Sequence, residues 1–245
     1  MPELPLLVEG LTHRYGDVVA LDAVDLRVPA GCLTTLVGRN GAGKSTLLSC
    51  VAGWTRASAG SIRVNGLAVA DAERAIRRFV VLVPDTPRFW IDLTAWEHLQ
   101  FVAGVHRLRN WRPAATAILS AFGLQQHADA YPLAYSRGMR HKLALAMALL
   151  VQPRLLLLDE PFAPLDAESA GQLWQALRAR ADDGTGVLFS CHQLPPDTDP
   201  DAWVVLDGGR VAASGTTGDL RRSLGVQTVT PEALLRSLGH PAADG

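Results

Sequence analysis

A glycine-rich run near the start of the chain constrains its fold more than any other feature. The run spans residues 38–46 and reads Gly38-Arg39-Asn40-Gly41-Ala42-Gly43-Lys44-Ser45-Thr46. Strand-like residues 33–37 precede it, and a helix-like segment begins at Lys44. Because glycine tolerates tight turns, successive N–H groups can face one anion, and the helix N-terminus adds its dipole. The spacing G-x-x-x-x-G-K-[ST] therefore predicts a phosphate-binding loop.

Two side chains of this loop have the chemistry that a bound nucleotide needs. Lys44 would place a compact positive charge on the β- and γ-phosphates, and Ser45 would offer its hydroxyl to Mg²⁺. The predicted ligands are therefore ATP and Mg²⁺. The alternative interpretation is a glycine turn before an ordinary helix.

Length and composition limit the classes of protein to consider. The 245 residues fit one large α/β domain or one with an inserted subdomain, and 48% hydrophobic residues supply a full core. A formal charge of −1 gives no basic excess, so we expect no nucleic-acid partner. The longest apolar stretch, residues 143–151, is far shorter than the roughly 20 residues of a spanning helix. These features, with no signal-peptide pattern, predict a soluble chain.

Strand-like and helix-like segments divide the chain into two kinds of region. Helices dominate from about residue 87 to residue 151, and strands are predicted on either side. The predicted strands are residues 6–9, 18–21, 26–28, 33–37, 61–64, 79–83, 155–158, 187–190, 203–206 and 210–213. The predicted helices are residues 44–52, 96–105, 113–122, 140–151 and 231–238. The pattern predicts a βα domain interrupted by a helical insert.

Two adjacent acids end the four-leucine run at residues 155–158. Uninterrupted apolar runs are typical of parallel strands buried on both faces, and ligands bind at the carboxyl ends of such strands. Asp159 and Glu160 are therefore expected to face the phosphate loop. Asp159 suits Mg²⁺ coordination through water, and Glu160 suits deprotonation of an attacking water. The alternative is a solvated strand end.

The segment Tyr135-Ser136-Arg137-Gly138-Met139-Arg140 precedes this strand. With the loop and the acids, it makes the chain resemble the ATP-binding subunits of ABC transporters from about residue 6 to residue 220. The segment is a variant of the family signature L-S-G-G-Q that keeps Ser136 and Gly138. Ser136 is also a good N-cap for the following helix, whose N-terminus can receive an anion. In the family that anion is the γ-phosphate of ATP held by a second nucleotide-binding subunit.

The resemblance implies roles for three further positions. Tyr15 matches the aromatic residue that stacks on adenine. His192 matches the switch histidine that contacts the γ-phosphate and positions Glu160. Asp166, in Pro164-Leu165-Asp166, matches the segment that links the two sites of the dimer.

Asp85 departs from the family pattern, which has a glutamine there that reaches Mg²⁺ and the water and senses the membrane partner. Aspartate is shorter and charged, so it either binds the metal through water or lies too far back. Arg137 and Met139 depart from the signature and could weaken the trans half of the site. After Asp85 an aromatic cluster opens the helical insert, and it serves either as an anchor for the membrane partner or as packing. The cluster is Arg88, Phe89, Trp90 and Trp96.

The resemblance implies a P-loop NTPase (RecA-like) α/β core with an N-terminal antiparallel β subdomain and an inserted α-helical subdomain. The expected boundaries are 1–86 and 152–225 for the core, 87–151 for the helical subdomain and 226–245 for a short tail. The expected function is the ATP-hydrolysing motor of a transporter, pairing as a homodimer or heterodimer and driving a separate permease. The chain would then be cytoplasmic and peripheral to the inner face of the cell membrane. The signature variant and residues 230–235 hint at export.

Two other functions remain open at this point. One is a soluble ABC-type ATPase, for example in iron–sulfur assembly, that is not coupled to transport. The other is a small-molecule kinase that uses the same phosphate loop but would not need the signature segment or His192.

Overall fold

Ten strands and eight α-helices are assigned in the computed structural model, which describes residues 4–239. The strands are β1 (Leu6–Tyr15), β2 (Val18–Val28), β3 (Leu33–Gly38), β4 (Ala59–Val64), β5 (Leu67–Ala68), β6 (Val80–Val83), β7 (Leu155–Leu158), β8 (Gly186–Ser190), β9 (Ala202–Asp207) and β10 (Arg210–Gly215). The helices are α1 (Lys44–Val51), α2 (Glu73–Ile76), α3 (Ala95–Val105), α4 (Trp111–Ala121), α5 (Arg137–Val151), α6 (Ala167–Asp182), α7 (Thr217–Leu224) and α8 (Pro231–Ser237).

The strands form two sheets of different character. An antiparallel sheet has the order β2-β1-β4-β5, and a six-stranded sheet has the order β10-β9-β3-β8-β7-β6. In the larger sheet β9, β3, β8, β7 and β6 are parallel, and β10 pairs antiparallel at the edge. The expected α/β class is therefore confirmed, with its antiparallel sheet at the N-terminal end and helices α3 to α5 between β6 and β7.

The two faces of the larger sheet bury different partners. Leu156 and Leu158 of β7 pack into a core shared with α3 to α6. Leu155 and Leu157 point to the other face and pack with α1 and the antiparallel sheet. Since successive side chains of a strand alternate faces, the four-leucine run is explained by burial on both sides. A third cluster covers the edge near β9, where Trp203 and Val205 contact Leu234 of α8.

Several element boundaries differ from those expected from the sequence. The predicted strands 18–21 and 26–28 are one strand, β2, in which Ala23 has a positive φ of 50°. Its register with β1 shifts there, so an irregularity bends the strand without ending it. Helix α5 begins at Arg137, three residues before the predicted start, because Ser136 caps it. Helices α2, α6 and α7 were not predicted at all.

Candidate functional site

The glycine-rich loop joins β3 to α1 at the centre of the parallel sheet. Every residue of β3 is buried, and α1 begins at Lys44. Gly41 and Gly43 have φ values of 80° and 102°, in the left-handed region that glycine tolerates. A Cβ at Gly43 would lie 2.6 Å from the Ala20 carbonyl oxygen. The loop therefore needs glycine here for its conformation and for its close approach to β2.

Lys44 points back into this loop. Its Nζ donates to the Gly38 carbonyl oxygen at 2.8 Å and to the Arg39 carbonyl oxygen at 3.4 Å. The same nitrogen lies 3.8 Å from Oε1 of Glu160. Burial lowers the pKa of Lys44, and the charge of Glu160 opposes that shift. The side chain is a largely buried cation, and low-dielectric surroundings strengthen its attraction for an anionic phosphate.

The two acids after β7 are held by a hydroxyl from the neighbouring strand. Ser190, the last residue of β8, donates its Oγ hydrogen to Oδ1 of Asp159 at 2.6 Å. Ser190 Oγ in turn accepts a hydrogen bond from the Glu160 amide at 2.9 Å. Sequence reasoning missed Ser190. Ser190 ends an apolar strand, which was the available signal. Only the strand order, which places β8 beside β7, shows that Ser190 reaches the two acids.

Glu160 and His192 face each other across the cleft. The His192 amide donates to Oε2 of Glu160 at 3.1 Å, and its Nε2 lies 3.3 Å from Oε1. Glu160 has a φ of 50°, a costly conformation for a residue that, unlike glycine, carries a Cβ. Such strain persists only where the surrounding structure holds it, here through the Ser190 and His192 hydrogen bonds.

The surroundings of Glu160 raise its pKa, chiefly through burial. Burial raises its pKa most, and Asp159 and Asp85 add to the rise, while Lys44 and the His192 amide oppose it. Burial also lowers the pKa of His192, and the charge of Lys44 lowers it further. A carboxylate with a raised pKa is better able to accept a proton from water near neutral pH. The arrangement thus suits Glu160 for general-base chemistry.

Asp85 follows β6 at the same edge of the sheet. Its Oδ1 forms an ion pair with Nη2 of Arg137 at 3.2 Å, and its Oδ2 accepts from the Thr86 hydroxyl at 3.4 Å. The pairing with Arg137, in the first turn of α5, was not foreseen from the sequence. The ion pair joins two departures from the family pattern, Arg137 in the signature segment and Asp85 after β6.

These segments together line a cleft of about 320 Å³. The lining includes most of the loop, all three carboxylates and the histidine: Ala20, Arg39, Asn40, Gly41, Gly43, Lys44, Ser45, Thr46, Asp85, Asp159, Glu160 and His192. The four segments follow the carboxyl ends of β3, β6, β7 and β8. Gly38 and Ala42 are outside this lining; Gly38 packs against Leu206, where a Cβ would lie 2.7 Å from the carbonyl oxygen.

Four of the predicted binding residues lie away from the cleft. Tyr15 is 54% exposed at the end of β1, with its ring edge-on to His13 at 4.5 Å between centroids. Ser136 caps α5 and accepts from the Met139 amide at 3.2 Å. A Cβ on Gly138 would lie 2.9 Å from the Pro164 carbonyl oxygen, so the signature segment packs on the segment before Asp166.

Asp166 is engaged within its own chain. It caps α6 by accepting from the Ser169 amide at 2.8 Å, and its other oxygen lies 3.3 Å from Nζ of Lys142. The hydrogen bonds from Ser169, with a smaller effect of Lys142, lower the pKa of Asp166 to about 2. Its predicted role at the partner's nucleotide therefore stays a prediction, as do those of Tyr15, Ser136 and Gly138.

The donor set in the cleft fits magnesium bound together with a phosphate chain. Mg²⁺ prefers oxygen ligands and commonly takes one or two carboxylates, with phosphate oxygens and water completing its octahedron. Ser45, Asp159 and Asp85 offer such oxygens in one cleft. Within residues 4–239, no three histidine, cysteine or acidic side chains form a metal cage by themselves. Such a donor set suits a metal that arrives with nucleotide.

Comparison with known families identifies the architecture. Residues 21–163 match the family model described as ABC transporter. The chain belongs to this family of ATP-binding cassettes. A daunorubicin/doxorubicin resistance ATP-binding protein, DrrA of Streptomyces peucetius, is 37% identical over 91% of this chain and 69% of its own length. The ABC-type transporter ATP-binding protein EcsA of Bacillus subtilis is 30% identical over 95% of this chain and 96% of its own.

Solved structures agree with that assignment. An ATP-binding subunit of an ABC transporter superposes with a TM-score of 0.88, at 31% identity, over 95% of this chain and 99% of the other. A dimeric cassette in a post-hydrolysis state with ADP and Pi shares the fold, with a TM-score of 0.76 at 23% identity over 86% of this chain and 98% of the other. This ABC cassette is an ATPase that binds ATP with Mg²⁺ and hydrolyses it, as the loop and the acid pair predicted. In the described part of the chain, no helix is both long and apolar enough to cross a bilayer.

Proposed function

We propose that this cassette is the hydrolysing motor of an ABC transporter and that Glu160 is its general base. The supporting observation is that Glu160 lies within 4 Å of both Lys44 and His192 in the cleft. Lys44 binds the β- and γ-phosphates, and Glu160 takes the proton from the attacking water. His192 orients Glu160 through its amide and contacts the γ-phosphate. Ser45, Asp159 and Asp85 would hold Mg²⁺, which would supply positive charge against the charge that develops on the phosphates.

The second half of each site comes from another nucleotide-binding subunit. Ser136 and Gly138 lie outside the cleft of their own chain, at the N-terminus of the 15-residue helix α5. A helix N-terminus attracts an anion, and ABC cassettes dimerise, so this end would bind the γ-phosphate of a partner's ATP. Tyr15 would stack on adenine, since its ring is exposed at the end of β1 in the antiparallel sheet. Asp166 would lie at the interface that links the two sites.

An apolar groove next to α3 supports coupling to a permease. It has a volume of about 440 Å³ and lies between the segment around β6 and helices α3 and α5. Its lining is Trp54, Val81, Leu82, Val83, Pro84, Thr86, Pro87, Arg88, Phe89, Val102, His106, Ala144, Met147, Ala148 and Val151. We assign this groove to a short helix of a separate membrane subunit. That contact would hold the cassette at the inner face of the membrane.

The cluster of Arg88, Phe89, Trp90 and Trp96, expected to serve either as an anchor or as packing, does not lie in one place in the structure. Arg88 and Phe89 line the apolar groove. Trp90 is 53% exposed beside Phe101, with 4.6 Å between ring centroids. Trp96 packs against Trp111 at 5.2 Å inside the helical region. Phe89 thus remains a candidate anchor, whereas Trp96 serves packing.

Export is the direction we propose. The relatives named for daunorubicin resistance match 91% and 99% of this chain. A relative named for aliphatic sulfonate import, SsuB 2 of Pseudomonas aeruginosa, matches 78% at 35% identity. The longer match includes the C-terminal region, where α8 packs on β9.

Replacing Glu160 by glutamine tests the catalytic assignment. Glu160→Gln keeps the shape of the side chain but cannot accept the proton, so the variant should bind ATP, dimerise and release phosphate at less than about a hundredth of the wild-type rate. A phosphate-release assay measures hydrolysis, and light scattering with MgATP measures dimerisation. The exposed Glu232→Gln on α8 is the matched control and should hydrolyse normally. Undiminished release by Glu160→Gln would remove Glu160 from the mechanism.

A further inference from the structure

Two charged side chains at positions where the family usually has uncharged residues meet at the rim of the cleft. Nη2 of Arg137 lies 3.2 Å from Oδ1 of Asp85, although the residues are 52 positions apart. Asp85 belongs to the core segment after β6, and Arg137 is the first residue of α5. The ion pair therefore joins the nucleotide cleft to the helix that carries the signature segment.

The Asp85 carboxylate also faces the cleft. It lines the same space as Ser45, Asp159 and Glu160, and its negative charge contributes to the raised pKa of Glu160. Asp85 is thus close enough to the reacting groups to matter electrostatically. A third carboxylate at this rim would attract a divalent cation, and a bound guanidinium would compete with that cation.

Arg137 is the cation placed to compete. His141, one turn along α5, also lies near Asp85, but burial lowers its pKa to about 4, so it is neutral at pH 7. Lys142 instead pairs with Asp166. The Arg137 side chain is 69% exposed, so it can leave Asp85 at little cost in packing.

We propose that Arg137 is a positioning residue for Asp85, and that Mg²⁺ arriving with ATP competes with Arg137 for the Asp85 carboxylate. This rests on the proposed function, in which Asp85 belongs to the magnesium site. In the nucleotide-free chain the ion pair holds the carboxylate at the rim. Binding of MgATP displaces the guanidinium and uncouples the first turn of α5 from the segment after β6.

The test is the Mg²⁺ concentration that gives half-maximal binding of a fluorescent, non-hydrolysable ATP analogue. Four full-length chains are compared: wild type, Arg137→Gln, Asp85→Asn and the double variant. Because an exposed ion pair is weak, Arg137→Gln should lower that concentration by about two- to fivefold. Asp85→Asn should raise it. The double variant should match Asp85→Asn, since Arg137 acts through the carboxylate.

The control and the contrary outcomes separate this proposal from the one above. Arg109→Gln removes an equal charge from an exposed site and should leave the Mg²⁺ dependence unchanged. If Arg137→Gln has the same effect with or without Asp85, or none, the competition is refuted while the cassette assignment stands. If the wild type fails to bind the analogue at any Mg²⁺ concentration, both proposals fail.

Discussion

At the scale of single residues, His141 links burial to the pH dependence of stability. The ring is 1% exposed on α5, and burial lowers its pKa from 6.5 to about 4. The charge of Asp85 and the Pro161 carbonyl oppose that shift, and Arg137 adds to it. The unfolded chain therefore binds more protons at this histidine than the folded chain between pH 6.5 and 4, so stability falls as the pH falls through that window.

Replacing this histidine should remove part of the acid sensitivity. From pH 7 to pH 5 the wild type should lose about 2 kcal/mol of unfolding free energy through His141, whereas His141→Gln should not lose that part. Urea unfolding at the two pH values measures the difference. The exposed His127→Gln, in the same helical region, is the comparison variant. Equal losses in wild type and His141→Gln would mean that the ring charges freely in the folded chain.

The sequence predicted the contiguous parts of the cleft but not its contacts between residues far apart in the chain. The loop at residues 38–46 is contiguous, so its spacing alone was enough. Ser190 contacts Asp159 from a strand 31 residues later, and Arg137 contacts Asp85 across 52 residues. Both contacts depend on strand order and on the docking of α5, which local sequence patterns do not specify.

At the scale of elements, α6 and α7 escaped prediction although their sequence signals were present. Ala170, Leu173, Leu177 and Ala181 of α6 are buried at helical spacing. Asp166 caps α6, and Thr216 with Asp219 forms a capping box for α7. Interpreting Asp166 as an interface residue hid its capping role. The long β2 was divided in two because polar residues interrupt its apolar pattern at a bulge.

Helix α8 offers a prediction at this scale because it attaches through two buried side chains, Pro231 and Leu234. Leu234 is 0% exposed and packs with Trp203, Val205 and Leu220. Leu234→Ala should lower the unfolding free energy by about 2–5 kcal/mol, since it removes buried methyl groups and leaves a cavity. Thermal unfolding would measure the loss. The partly buried Leu235→Ala should cost clearly less; equal costs would mean that α8 is not docked as described.

At the scale of the whole molecule, the cleft lies at the carboxyl ends of the parallel strands, and the helical insert lies beside it. Four parallel strands end at the cleft, while α3 and α5 and the segment after β6 form the apolar groove. Asp85 lies beside both sites, since Thr86 next to it lines the groove. A partner helix in the groove would therefore contact the segment that carries Asp85. This adjacency gives a physical path from the membrane subunit to the nucleotide.

Placing a charge in the apolar groove should disrupt binding of the membrane subunit without affecting nucleotide binding in the cleft. Val102 lines the groove on α3, and Val105 of the same helix is 62% exposed and outside it. Val102→Arg should abolish co-purification of a polytopic membrane protein with the tagged chain, because a buried guanidinium there would have no partner. MgATP binding by the purified variant should persist, since the cleft is untouched. Val105→Arg should retain the membrane protein, and its retention by Val102→Arg as well would place the permease contact elsewhere on the cassette.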